Sequence, residues 1–149
     1  MDVVKARWTQ NRQLVGWDSQ LHGLVMDTPA EGTGEGTGWR PVELLLLGLA
    51  GCTGIDVISI LEKKREDCRG LEIEVRGEPR LEDHPHYYKS INVHYAVTGV
   101  GVKPESLARA IELSEEKYCS VKGCLGPQCE VTTSYEVIEF EPQIGPKRD

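Results

Sequence analysis

The chain has 149 residues and a formal net charge of −7, long enough for one domain with a real core and too acidic for a nucleic-acid surface. Aromatic residues make up only 6%, which also argues against stacking platforms for bases. Met1-Asp-Val-Val-Lys5 reads as a strand rather than a basic-then-apolar leader, so the five cysteines (52, 68, 119, 124, 129) are expected to be reduced thiols of a cytoplasmic protein.

In chain order, residues 3–8, 13–17 and 23–27 have strand composition and predict an antiparallel meander. The glycine-rich stretch 28–39 (Gly32, Gly34, Gly36, Gly38) lacks the Gly-Lys-Ser/Thr of a phosphate loop. It reads as a mobile connector and a lid over the start of the next element. That element is a long helix over Pro41–Glu66, roughly 38 Å at 1.5 Å per residue. Pro41 suits the first helical position, Lys63–Arg65 suit the last turn, and Gly70 offers a stop.

From Leu44 to Ile55 this helix has no polar face, which demands burial in a core or a membrane. The uncharged run, bracketed by Glu43 and Asp56, is too short to span a bilayer, so a core helix covered by a second subunit is expected. Gly48 and Gly51 would let another backbone come close.

Residues 71–76 and 89–97 alternate apolar and polar as half-buried strands, joined through Asp83-His-Pro-His86. A second helix over 104–117 turns Leu107, Ala110, Ile111 and Ser114 to the core. A cysteine-studded turn region (119–129), a last strand (131–138) and a frayed tail (142–149) complete the chain. The order βββ-α-ββ-α-β implies one α+β domain over 1–149, mostly antiparallel, with the long helix across the sheet.

Cys52 lies inside the dry helix, either as inert packing or as a nucleophile. Asp56 follows four residues later on the same face. It is either a proton acceptor beside the thiol or a structural acid satisfied elsewhere, and when ionised it disfavours a thiolate. Cys119 follows Lys117, and a nearby lysine or a helix N-terminus lowers a thiol pKa; the plain alternative is a turn plug. Cys119, Cys124 and Cys129 have no CxxC or CxxxH partner, so no metal is expected, and His84 and His86 read as loop polarity. Glu43 complements the helix dipole, and Arg40 is an anion or carboxylate holder or a solvated charge. No cofactor motif and no Ser-His-Asp elbow is present.

Pro41-x-Glu-Leu-Leu-Leu-x-x-Leu-Ala-Gly-Cys52, with Lys117-Tyr-Cys119-Ser-Val121 far downstream, resembles the OsmC/Ohr family of osmotically inducible and organic-hydroperoxide-resistance proteins. The fuller stretches around both cysteines are similar to its YhfA-like branch. The resemblance implies an OsmC-like fold and an intertwined homodimer, with two long helices between two sheets and active sites at the subunit interface. It also implies a chemistry: one cysteine attacks a hydroperoxide and becomes a sulfenic acid, a second condenses with it, and an external dithiol reduces the disulfide.

Carried over, Cys52 is the attacking thiol and Cys119 the resolving one, with Asp56, Glu43 and Lys117 as tuning groups. The chain departs from the peroxidase pattern in two places. Val42 stands where a glutamate is expected, with Glu43 one place later and about 100° around the helix. The glycine-rich stretch also lacks the family's loop arginine. The expected activity is reduction of an organic hydroperoxide or a related small oxidant. The alternative is a non-peroxidase relative that binds an apolar small molecule in the interface pocket.

Overall fold

The computed structural model describes residues 1–82 and 84–142; Asp83 of the histidine loop, and all of the expected tail except Pro142, lie outside the described residues. The chain forms two compact units, residues 1–47 and 48–149.

In the first unit, β1 (Lys5–Gln10), β2 (Gln13–Trp17) and β3 (Gly23–Met26) form the expected antiparallel meander in the order β1-β2-β3. The glycine-rich stretch departs from expectation, because it is tied down rather than a mobile connector. Asp27, 2% exposed, accepts hydrogen bonds from the backbone N–H groups of Thr28 (2.7 Å), Glu35 (3.2 Å) and Thr37 (3.1 Å), and from the Thr37 hydroxyl (2.8 Å). Trp39 then closes the loop against β3, donating to the Val25 carbonyl and accepting from the Asp27 N–H. Gly34 is required by space: a Cβ there would stand 2.2 Å from the Thr28 carbonyl oxygen.

Helix α1 (Glu43–Lys63) crosses from the first unit into the second. Before its first turn Arg40 and Glu43 hold each other. The guanidinium donates to Glu43 Oε1 at 2.6 and 2.9 Å, and the Arg40 N–H donates to Glu43 Oε2 at 3.1 Å. The far end is earlier than the Gly70 stop expected from sequence. Arg65 takes the left-handed conformation (φ 59°), with Arg65 N–H on the Glu62 carbonyl and Glu66 N–H on the Leu61 carbonyl. This pair of bonds is a Schellman closure with arginine where glycine usually sits.

The second unit holds β4 (Asp67–Arg80), β5 (Tyr87–Val100) and β6 (Glu130–Glu139) in that order. β4 and β5 pair antiparallel, so Gly70 lies in a strand rather than at a helix end. β6 runs parallel to β5, with Tyr95 opposite Tyr135. A parallel return needs a crossover connection, supplied by α2 (Pro104–Leu113), a π-helical turn (Ser114–Tyr118) and α3 (Ser120–Cys124). The single helix expected over 104–117 thus breaks at Ser114, where the Cys119 N–H reaches five residues back to the Ser114 carbonyl at 2.8 Å. Such turns are rare and concentrate at functional positions.

The core lies where the alternation of β5 predicted it: Ile91, Val93, Tyr95 and Val97 are each at most 1% exposed. Burial of side chains of this size contributes about 1.5–3 kcal/mol each as an upper estimate. Leu107, Ala110, Ile111 and Ser114 are buried from the crossover side. α1 contributes Leu49, Thr53, Val57, Ile60 and Leu61, and a Cβ on Gly54 would come within 2.7 Å of Ile73 Cδ1. By length and mean hydropathy (2.1) alone α1 could cross a membrane, but one of its faces is core. The rest is bare in the single chain: Ile55 is 68% and Ile58 41% exposed, and nothing stands within 4 Å of a Cβ placed on Gly48 or Gly51.

Candidate active site

Three of the five residues singled out from sequence come together in the second unit. Cys52 and Asp56 sit one turn apart on α1, and the crossover brings Cys119 beside them. The two thiols are free, and Cys52 lies near enough to Cys119 to disfavour its ionisation. Cys52 is half-buried and Cys119 is 7% exposed.

The Cys119 thiol is pushed up to about 11. Burial is the main cause, and the neighbouring Cys52 and Asp56 add to it by disfavouring a second negative charge. The helix-start effect expected from sequence is present but loses. Cys119 caps α3 and its sulfur accepts the Lys122 N–H at 3.4 Å, which opposes the rise without reversing it.

Glu43 and Lys117 are not joined to the thiols in this way. Glu43 belongs to the first unit, where Arg40 occupies it and holds its carboxyl below the usual range. Lys117 is exposed and makes no hydrogen bond or ion pair among the described residues. The lysine that touches Cys119 is Lys122. Its ammonium is 3.1 Å from Glu115 Oε2, while Glu115 Oε1 is buried with no partner among the described residues. Glu115, Lys117, Cys119 and Lys122 share one depression of about 410 Å³. Among the described residues no group of His, Cys, Asp or Glu could hold a metal ion.

Sequence reasoning missed a chain of hydroxyls leading into the site. Tyr95 OH lies 2.7 Å from Thr53 Oγ1, Thr53 Oγ1 lies 3.0 Å from Ser114 Oγ, and Ser114 Oγ lies 2.8 Å from Asp56 Oδ2. Tyr95, Thr53 and Ser114 are 1%, 2% and 0% exposed. A signal for it did exist: a tyrosine on the buried face of a strand, and a serine in an apolar helical stripe, both need internal partners. The Asp56 charge also disfavours ionisation of both Tyr95 and Cys119.

A mixed α+β fold with two sheets and a long helix that carries a cysteine defines a known class. Residues 33–134 match the OsmC-like protein family, and the chain belongs to that family. Protein YhfA of Escherichia coli K12 is 37% identical over 134 residues, covering 90% of this chain and 96% of that protein. A crystal structure of a hypothetical protein from Aquifex aeolicus superposes with a TM-score of 0.82 at 31% identity, covering 95% of this chain and 98% of that one. The organic hydroperoxide resistance protein OhrB of Bacillus subtilis shares the fold, with a TM-score of 0.62 at 18% identity and coverage of 91% and 98%. The OsmC/Ohr resemblance read from the two cysteine motifs, and its YhfA-like branch, therefore hold.

Proposed function

We propose that the protein reduces organic hydroperoxides, or a related small oxidant, with its own thiols. The Cys52 thiolate attacks the O–O bond: an S–O bond forms, the O–O bond breaks, and the alkoxide leaves as alcohol after taking a proton. Cys52 is then a sulfenic acid. The Cys119 thiolate displaces its oxygen as water, and the resulting disulfide takes two electrons from an external dithiol. The observation that carries this reading is the nearness of the two motif-matched thiols, one half-buried and one buried. The hydroperoxide resistance named for OhrB is consistent with it.

The bare face of α1 around Gly48, Gly51, Ile55 and Ile58 supports a homodimer in which a second copy covers the helix and encloses the site. On this reading the two units make one domain, and the protein works in the cytoplasm among reductants that keep its thiols reduced. The experiment is to add stoichiometric cumene hydroperoxide to reduced protein and map cysteines by mass spectrometry. A Cys52–Cys119 disulfide is the expected product, and unreacted thiols overturn the reading.

The raised Cys119 thiol, with Val42 in place of a glutamate, favours a second reading: an apolar-ligand binder without peroxidase chemistry. A fatty acid copurifying with unreactive protein is its expected signature.

A further inference from the structure

Each polar atom of Ser114 is spent on a different neighbour. Its N–H donates to the Ala110 and Ile111 carbonyls of α2. Its hydroxyl stands 2.8 Å from Asp56 Oδ2 and 3.0 Å from Thr53 Oγ1, both on α1. Thr53 and Asp56 are three residues apart, hence neighbours on one face of that helix, and Cys52 directly precedes Thr53. The Ser114 carbonyl accepts the Cys119 N–H at 2.8 Å. In an ordinary α turn that carbonyl would take the N–H of residue 118, so the wider π turn is what brings Cys119 into register with Ser114.

Beyond this joint Cys119 is gripped again. Its carbonyl accepts the Gly123 N–H at 3.1 Å and its sulfur the Lys122 N–H at 3.4 Å, which fixes the thiol to α3. One fully buried serine therefore spans from the helix of one thiol to the backbone of the other. Its side chain has a single heavy-atom torsion, so the span has little slack.

We propose that Ser114 is a positioning residue for the resolving step, a staple that holds the Cys119 turn to the part of α1 carrying Cys52 and so keeps the two sulfurs at high effective concentration. This rests on the thiol chemistry proposed above. In that step the Cys119 thiolate forms the S–S bond with the Cys52 sulfenic sulfur. The S–O bond breaks, and hydroxide leaves as water with the proton the thiol gave up. Ser114 joins neither bond; it shortens the search that precedes them.

The test equilibrates full-length protein with reduced and oxidised glutathione at pH 7, without peroxide, and maps the Cys52–Cys119 disulfide by mass spectrometry after alkylation. Its equilibrium constant against glutathione measures the effective concentration of the two thiols. Ser114→Ala is expected to lower that constant about tenfold or more, near 30 mV for a two-electron couple. Asp56→Ala releases the same hydroxyl from the α1 side and is expected to lower it about threefold or more. Asp56→Asn keeps an acceptor oxygen while removing the charge, and should stay within about twofold of the unaltered chain. Tyr95→Phe removes a core hydrogen bond on the far side of Thr53 and should also stay within about twofold.

An unchanged or raised constant in Ser114→Ala overturns the staple. So does an Asp56→Asn constant as low as that of Asp56→Ala, since charge would then set the pair. A Tyr95→Phe loss equal to that of Ser114→Ala overturns it too, because general loosening would explain both. Should Ser114→Ala fail to fold, the two Asp56 variants carry the same comparison. Equal constants across the variants would leave peroxide reduction standing, and thiols inert to hydroperoxide would leave this comparison measurable.

Discussion

Tyr95 and Thr53 meet hydroxyl to hydroxyl at 2.7 Å inside the core, from the middle strand of the second unit and from the long helix. Burial pushes the Tyr95 hydroxyl up to about 12 from an ordinary 10.0. The neutral form is the one the fold favours, so its contribution is complete below pH 10 and is lost as pH rises through 12. Cys119 behaves likewise between 9.0 and about 11. Urea titrations from pH 8.5 to 12 should show stability falling throughout that range. Tyr95→Phe and Cys119→Ser should each flatten the fall.

Removing the Thr53 hydroxyl strands its neighbours. Thr53→Val keeps the shape but leaves Tyr95 and Ser114 short of a partner, and should cost about 1–3 kcal/mol. Thr53→Ser should cost less than about 1 kcal/mol. Urea midpoints at pH 7 separate the two, and equal costs would show that packing rather than hydrogen bonding matters at this position.

At the end of α1, Arg65 holds φ 59°, a conformation that disfavours any side chain with a Cβ. Arg65→Gly should raise stability by about 0.5–1 kcal/mol, and Arg65→Ala should gain nothing, because alanine keeps the Cβ. Thermal melts of the two variants at low protein concentration check this.

The bare flank of the helix makes opposite predictions for one chain and for two. In an isolated chain Gly51→Ala meets no neighbour and should stabilise α1 by about 0.5–1 kcal/mol. If a second copy lies against Gly51, the same methyl should weaken association and Gly51→Leu should abolish it. Sedimentation at serial dilution reads the second effect directly.

Asp27 gathers the loop over residues 28–39 with a carboxyl held below its ordinary 3.8, chiefly by the Thr37 hydroxyl. Its contribution is present above that value and lost as pH falls further. Asp27→Ala should open the stretch to limited proteolysis between residues 29 and 37 at neutral pH, while the unaltered chain resists.

Periodicity made the element order legible, since alternation in β5 and the stripe of α2 translate directly into faces. Directions and endings were less so. Nothing in Val131–Ile138 says that the strand runs parallel to β5, because strand composition is the same either way. Gly70 looked like the helix stop, yet the hydrogen bonds of Arg65 and Glu66 end α1 earlier. In the site, the cysteines and Asp56 stood out through motif and spacing, whereas Thr53, Tyr95 and Ser114 are ordinary residues made unusual by burial. Glu43 was named for standing one place from the glutamate of the peroxidase pattern, and Lys117 for its place just before Cys119; Arg40 engages the first, and the second lines the depression at Cys119.

The parallel return of β6 has a consequence for the order of assembly. Cys119 is carried on the stretch that bridges two strands pointing the same way, and that stretch is held at both ends. Ser114 is hydrogen-bonded to Thr53 and Asp56 of α1 on one side, and β6 pairs with β5 on the other. A nascent chain ending before residue 130 therefore owns both cysteines and the helix that Ser114 grips, but lacks the strand that closes the far side of the bridge.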